Sequence, residues 1–193
     1  MKFKRKIYNN LLDWKNNRRG KTALLIEGAR RVGKSFVVTE FAKQEYKSYV
    51  IIDFSVPRPL TLDAIINTAY DLDGLFNRIS IEYKVQLHPR ETLIIFDEVQ
   101  LCPKARQLIK HLVADGRYDY IETGSLVSLK TNIDDILIPS EEERLSLNPM
   151  DFEEFCWAMG DEVTVSFARE CYLNRKALGA IHDTVLKRYC EYL

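Results

Sequence analysis

Residues 28–35 read Gly-Ala-Arg-Arg-Val-Gly-Lys-Ser, a full match to the pattern G-x-x-x-x-G-K-S. Few short patterns restrict a fold so tightly, because this one works only between a buried strand and a helix. The two glycines let the main chain wrap until successive N–H groups point inward, and the helix that follows adds the positive end of its dipole. The result is a cradle for phosphate. Both flanks are legible. Thr22 to Glu27 is an apolar run that ends at a glycine, which predicts a central strand, and Lys34 to Ala42 predicts a helix with Phe36, Val37 and Phe41 inward. In such a loop Gly28, Ala29, Arg30, Arg31, Val32, Gly33, Lys34, Ser35 and Phe36 bind the nucleotide. Lys34 reaches the β- and γ-phosphates of ATP, and the Ser35 hydroxyl is placed for Mg²⁺.

The rest of the chain alternates in the way this motif requires. Tyr49 to Phe54, Leu93 to Asp97, Asp119 to Thr123 and Arg144 to Asn148 read as four further buried strands. Helical spacing separates them, over Leu62, Ile65, Ile66, Ala69, Leu72, Leu75, Phe76 and Ile79, and again over Lys104 to Ala114. Apolar strands alternating with helices predict an α/β three-layer fold with a parallel five-stranded sheet. The expected boundaries are a basic amphipathic helix at 1–20 with Phe3, Ile7, Leu11, Leu12 and Trp14 on one face, the sheet domain at 21–150, and a short helical segment at 151–193.

Chemistry is concentrated at strand ends. Asp97 closes a strand of four apolar residues, so its carboxylate emerges at the carboxyl edge of the sheet, where open α/β sheets bind ligands. There it can hold Mg²⁺ together with Ser35, through water. Glu98 follows directly and is the candidate catalytic acid that polarises the attacking water, with Lys34 as its cationic counterpart. An extra strand, Tyr49 to Phe54, intervenes between the loop and the Asp97 strand. That insertion and the Asp-Glu pair place the chain on the ATPase side of the P-loop superfamily. Thr123 or Ser125, at the end of the next strand, could sense the γ-phosphate, and Gln100 could orient Glu98 or Thr123. An arginine that completes the transition state is harder to place: Arg30, Arg31, Arg106, Arg117 and Arg144 are candidates, and for each a surface position competes.

The net charge is zero, so global charge points to no polyanionic partner. The distribution is uneven, with eight Lys or Arg against one Asp in residues 1–21, and ten acids against Arg144 alone in residues 134–162. Two solvated faces or two docking surfaces would both explain this. Cys102, Cys156, Cys171 and Cys190 have no paired spacing and read as reduced thiols, while His88, His111 and His182 are isolated. No signal peptide and no apolar run of membrane length is present, which leads us to expect a cytoplasmic protein with no membrane partner.

Four strings together resemble a known family: Gly28 to Ser35, Leu93 to Gln100, Tyr120 to Ser125, and Pro149-Met-Asp-Phe-Glu-Glu-Phe155, with Lys4 to Tyr8 fitting as well. They are similar to the AAA-type P-loop ATPases of bacteria and archaea, in which an N-terminal ATPase precedes a winged-helix-like linker and a C-terminal nuclease-like domain. The resemblance implies ATP at Gly28 to Ser35, Mg²⁺ at Ser35 and Asp97, a catalytic Glu98 and a sensor at Thr123 or Ser125. It implies that 151–193 begins the linker and that the C-terminal domain is a partner. A Gly-Arg pair common before the Pro-x-x-Phe-Glu-Glu string is replaced here by Glu141-Glu-Glu-Arg144. The expected activity is Mg²⁺-dependent ATP hydrolysis coupled to movement of a C-terminal module. A slowly hydrolysing ATP-dependent switch is the alternative, and a nucleic-acid-binding module a weaker third reading. A homo-oligomer or protein partner stays open, because an arginine can be supplied by a neighbour.

Overall fold

The structure, a computed structural model, describes residues 4–67, 71–125 and 141–193. Phe3, Ala69 and the first acids of the 134–162 stretch, Asp134 and Asp135, lie outside the described residues. The chain divides into two compact units, Asn9–Asn148 and a smaller one made of Met1–Tyr8 with Pro149–Leu193.

In the larger unit the apolar runs form five strands: β1 Ala23–Gly28, β2 Ser48–Asp53, β3 Thr92–Asp97, β4 Asp119–Ser125 and β5 Glu142–Ser146. Their spatial order is β2-β3-β4-β1-β5, and every neighbouring pair is parallel. Parallel neighbours need long crossovers, here supplied by α2 Lys34–Glu45, α3 Pro59–Asn67, α4 Leu72–Tyr83 and α5 Pro103–Asp115, while α1 Ile7–Arg18 precedes the sheet. Ala23, Leu25, Ile52, Ile94, Phe96 and Tyr120 share one core with residues of α3, α4 and α5. The alternate residues Leu24, Ile26, Leu93, Ile95 and Ile121 are equally buried, so the sheet is covered on both faces. Each fully buried aliphatic side chain contributes about 1.5–3 kcal/mol, which is why β1 and β3 read as unbroken apolar runs.

Three details depart from the pattern in the sequence. Phe36 is half exposed rather than inward: α2 buries Lys34, Val37, Val38, Phe41 and Ala42, a stripe that leaves position 36 on the other side of the helix. The apolar spacing over 62–79 belongs to two helices, because the Asp71 carboxylate accepts a hydrogen bond from Gly74 N at 2.9 Å and starts α4 anew, and Ile66 near the end of α3 is exposed. β5 begins at Glu142, two residues before the apolar signal, because its first residues pair with Ala23 and Leu24 of β1.

After Pro149 the regular elements of the smaller unit's described residues are all helices, α6 Phe152–Ala158, α7 Glu162–Leu173 and α8 His182–Tyr192, with no strand among them. The Pro149 to Phe155 string has a physical job in it. Asp151 caps α6 by accepting from Glu154 N at 2.9 Å, and Glu154 accepts in return from Asp151 N at 3.2 Å. The other Glu154 oxygen accepts from Lys6 N at 2.7 Å and pairs with buried Arg5 at 3.2 Å. Lys6 reaches both Asp151 and Glu153 at 2.6 Å, and Lys4 meets Glu162 at 3.1 Å. Lys4, Arg5 and Lys6 of the basic stretch are therefore paired with acids of residues 151–162. Phe152 and Phe155 pack against Tyr189 and Tyr192 of α8 with ring centres 5.5–5.8 Å apart.

One buried cluster was invisible in the sequence. Glu122, in the middle of β4, is fully buried, and Glu142 at the start of β5 has a fully buried carboxylate. Arg106 of α5 donates to both Glu142 oxygens at 2.9–3.1 Å, and Arg144 donates to one of them at 3.1 Å. Burial, and then the neighbouring Glu142 carboxylate, push the Glu122 carboxyl well above its ordinary range. Folded Glu122 thus keeps a proton that the unfolded chain releases above the usual carboxyl range. Its favourable contribution is present at acid pH and is lost as pH rises through the raised value. We expect Glu122→Gln, neutral at every pH, to melt higher than the wild type in neutral and alkaline buffer and to show a flatter dependence of Tm on pH. Calorimetry across pH 5–9 checks this.

Cys102, Cys156 and Cys171 are buried and Cys190 is exposed, all as free thiols. Among the described residues no helix is long and apolar enough to cross a membrane.

Candidate functional site

The spatial order of the strands builds the site. β4 lies between β1, which feeds the phosphate loop, and β3, which ends in Asp97. Phe96 pairs with Glu122 across β3 and β4, so the next step along each strand brings Asp97 beside Thr123 at the carboxyl edge of the sheet. The Thr123 hydroxyl donates to Asp97 Oδ1, and the Ser35 hydroxyl donates to the same oxygen at 2.9 Å. One carboxylate oxygen thus joins the first turn of α2 to the end of β4.

The loop itself is shaped by two left-handed residues, Arg31 at φ 65° and Gly33 at φ 94°. Gly33 adopts this conformation at no steric cost, and the helix begins immediately after it. Val37 N bonds Gly33 O at 3.0 Å, the first turn of α2, so the N–H groups of Lys34 and Ser35 precede the intrahelical ladder, at the end of a helix that favours an anion. Lys34 is buried, and its ammonium donates to Gly28 O at 3.1 Å and Ala29 O at 2.9 Å. It lies folded across the start of the loop.

Gly28 is required for a reason that the motif alone does not state. A Cβ there would stand 2.3 Å from the carbonyl oxygen of Leu147, which follows β5. Leu147 N in turn donates to Glu27 O at 2.8 Å, so that carbonyl cannot swing away freely. We expect Gly28→Ala to destabilise the fold by about 1–3 kcal/mol through forced main-chain displacement, read as a lower denaturant midpoint.

Glu98 adopts a left-handed conformation at φ 54° and ψ 46°, rare for a residue with a side chain and costing on the order of 1–3 kcal/mol. The chain turns there from β3 into a 3-10 turn, Val99–Leu101. Its N–H donates to Thr123 Oγ1 at 3.3 Å, and its Oε2 accepts from Gln100 Nε2. Thr123 therefore touches both acids. Ser125, also buried, lies farther along β4 opposite Gly28, and of the two sensor candidates it is Thr123 that meets the acid pair.

The arginines fall elsewhere. Arg106 is buried against Glu142, Arg144 shares that carboxylate, and Arg117 pairs with Asp115 at 2.8 Å and Asp73 at 2.5 Å. Arg106 is accordingly not the surface arginine that its sequence suggested: Glu142 compensates its charge inside the fold. Arg30 and Arg31 stay exposed on the loop.

The residues suit nucleotide and Mg²⁺. Ser35 and Asp97 offer an oxygen-only donor set, the kind Mg²⁺ takes, and Mg²⁺ at phosphates needs only one or two protein carboxylates. No cluster of three or more His, Cys, Asp or Glu able to hold a metal occurs among the described residues.

A parallel sheet in this strand order, with a G-x-x-x-x-G-K-S loop after β1 and an Asp-Glu pair after β3, defines an AAA-type P-loop ATPase fold. A family model described as the AAA domain matches residues 20–156, and the chain belongs to that family. Among solved structures it is similar to the Orc1 protein of Aeropyrum pernix, determined in complex with DNA. The two share 11% identity at a TM-score of 0.51, over 96% of this chain and 64% of that one. It is also similar to a chain of the Drosophila ORC bound to DNA, at 12% identity and a TM-score of 0.48, over 74% of this chain and 90% of that one. At such identities the likeness is one of fold, and it rests on the archaeal protein. A search of curated proteins found no match.

Proposed function

We propose that this protein binds ATP with Mg²⁺ at Gly28 to Ser35 and hydrolyses it, and that hydrolysis is coupled to movement of a C-terminal module. The observation that carries the reading is the meeting of Ser35 and Thr123 on one oxygen of Asp97, with the Glu98 main chain tied to the same threonine. Loop, metal-type oxygens and candidate base are thereby held by a single hydroxyl network at one edge of the sheet. The loop N–H groups and Lys34 bind and orient the phosphates. Glu98 accepts a proton from the attacking water as the bond from the γ-phosphorus to ADP breaks. Mg²⁺, when bound, supplies charge neutralisation on the phosphates. Thr123 holds the two acids at a fixed spacing. Phosphate release by the wild type and by Glu98→Gln, side by side, tests the reading.

A second reading, an ATP-dependent switch with slow or partner-stimulated turnover, is favoured by one observation: Arg106, Arg117 and Arg144 are all committed to carboxylates away from the loop. With only Arg30 and Arg31 of the candidates left on the loop itself, a cation that stabilises transition-state charge can be supplied by a neighbouring molecule, and the size of the protein with and without ATP separates the two readings. Nucleic-acid binding is the weakest reading, since Lys4, Arg5 and Lys6 are paired with acids of the same unit.

A further inference from the structure

The buried side chains of the larger unit include one that the reading above leaves without a task. Gln100 is nearly buried within the 3-10 turn after β3. Its Nε2 donates to Glu98 Oε2, while its own Oε1 is buried and has no hydrogen-bond partner among the described groups. An ionised carboxylate only accepts hydrogen bonds, so the amide must turn its nitrogen toward Glu98 and its oxygen away. A buried, unpaired amide oxygen costs about 1–3 kcal/mol, which a surface glutamine would avoid by rotating into solvent. Here rotation is blocked by burial and would bring two acceptors together.

Glu98 itself is over-determined. Its main chain is held in a left-handed conformation, its N–H is bonded to Thr123, and one carboxylate oxygen is bonded to Gln100. Among the described residues its Oε1 accepts no hydrogen bond. The three restraints act on one residue and come from two elements, β4 and the 3-10 turn. Their joint effect is to leave one oxygen of the candidate base without a hydrogen-bond donor among the described residues.

We infer that Gln100 is a positioning residue of the ATPase site: by tying Oε2 of Glu98 it makes Oε1 the oxygen that takes the proton of the attacking water. This inference rests on the hydrolytic reading of Glu98. Among the described residues the only hydrogen bond of the Gln100 side chain is to Glu98 and none reaches the phosphate loop, so the effect is expected on the rate through Glu98 and not on ATP binding. Misplacing a reacting group by about 1 Å costs up to roughly a hundredfold in rate, and this sets the scale of the effect.

The test uses two variants of similar length. Gln100→Met removes the donor and Gln100→Glu sets a second carboxylate beside Glu98. Both should lower kcat by roughly tenfold to a hundredfold while the Kd for ATP stays within about threefold of the wild type. The decisive measurement is the same Met substitution in the Glu98→Gln background. If Gln100 works through Glu98, the second change adds less than about twofold, because the group it positions is already gone. A purely structural role would lose rate by the same factor in both backgrounds, and that result overturns the inference. So does a Gln100→Met enzyme with wild-type kcat, or a Kd that rises in step with the fall in kcat. Wild-type turnover by Glu98→Gln alone is a different failure: it removes the hydrolytic reading itself, and the role of Gln100 falls with it.

Discussion

Glu98→Gln should lower steady-state phosphate release by on the order of 10² to 10³ while leaving ATP affinity close to that of the wild type. Glutamine keeps the size of the side chain and its ability to sit opposite Gln100, yet its amide cannot take a proton from water. The phosphate cradle is built from other groups, namely the loop N–H donors, Lys34 and Ser35, so binding should survive. The variant would hold ATP without turning it over, a state in which any ATP-dependent change in size becomes measurable by light scattering. The left-handed backbone at position 98 is unaffected by the exchange, so a folding defect is not the expected cause. Wild-type phosphate release in this variant would remove Glu98 from the chemistry.

Lys34→Ala should act at the opposite end of the cycle. Each charge-assisted hydrogen bond between the ammonium and a phosphate oxygen is worth about 1.5–3 kcal/mol, so the affinity for ATP, read by calorimetric titration, should fall by tenfold to more than a hundredfold. Lys34 now donates to two carbonyls of its own loop, Gly28 O and Ala29 O, and those contacts must be exchanged for phosphate when nucleotide enters. Unchanged ATP affinity in this variant would sink the assignment of the loop. The two substitutions thus separate binding from turnover: one keeps affinity and loses rate, the other loses affinity first.

The covered sheet followed from the apolar runs because a strand buried on both faces has no alternative environment to choose from. The same logic failed at Phe36 and Ile66. Hydrophobicity marks a residue that is able to be buried, whereas the phase of the helix decides which side is covered: α2 buries Val37, Val38 and Phe41, and α3 buries Thr61, Ala64 and Ile65, which leaves Phe36 and Ile66 outside the buried stripes. The charge asymmetry of the termini was plain in the sequence, but its meaning was not, since ion pairs such as Lys4 with Glu162 join residues far apart along the chain.

The sequence by itself determined the phosphate loop and the carboxylates after β3, because both depend on local chemistry: glycines that permit a wrapped main chain, a lysine and a serine at fixed offsets, acids at a strand end. It also named Thr123 and Gln100 as companions of the site. Only the tertiary structure decided what each one touches. Inserting β4 between β1 and β3 is a choice of strand order that no local signal encodes, and it alone carries Thr123 to Asp97 and Glu98. The same folding sets Glu122 against Glu142 and Arg106, and Leu147 over Gly28. Such pairings link residues distant in sequence, and they follow from how the layers close, not from which residues are present.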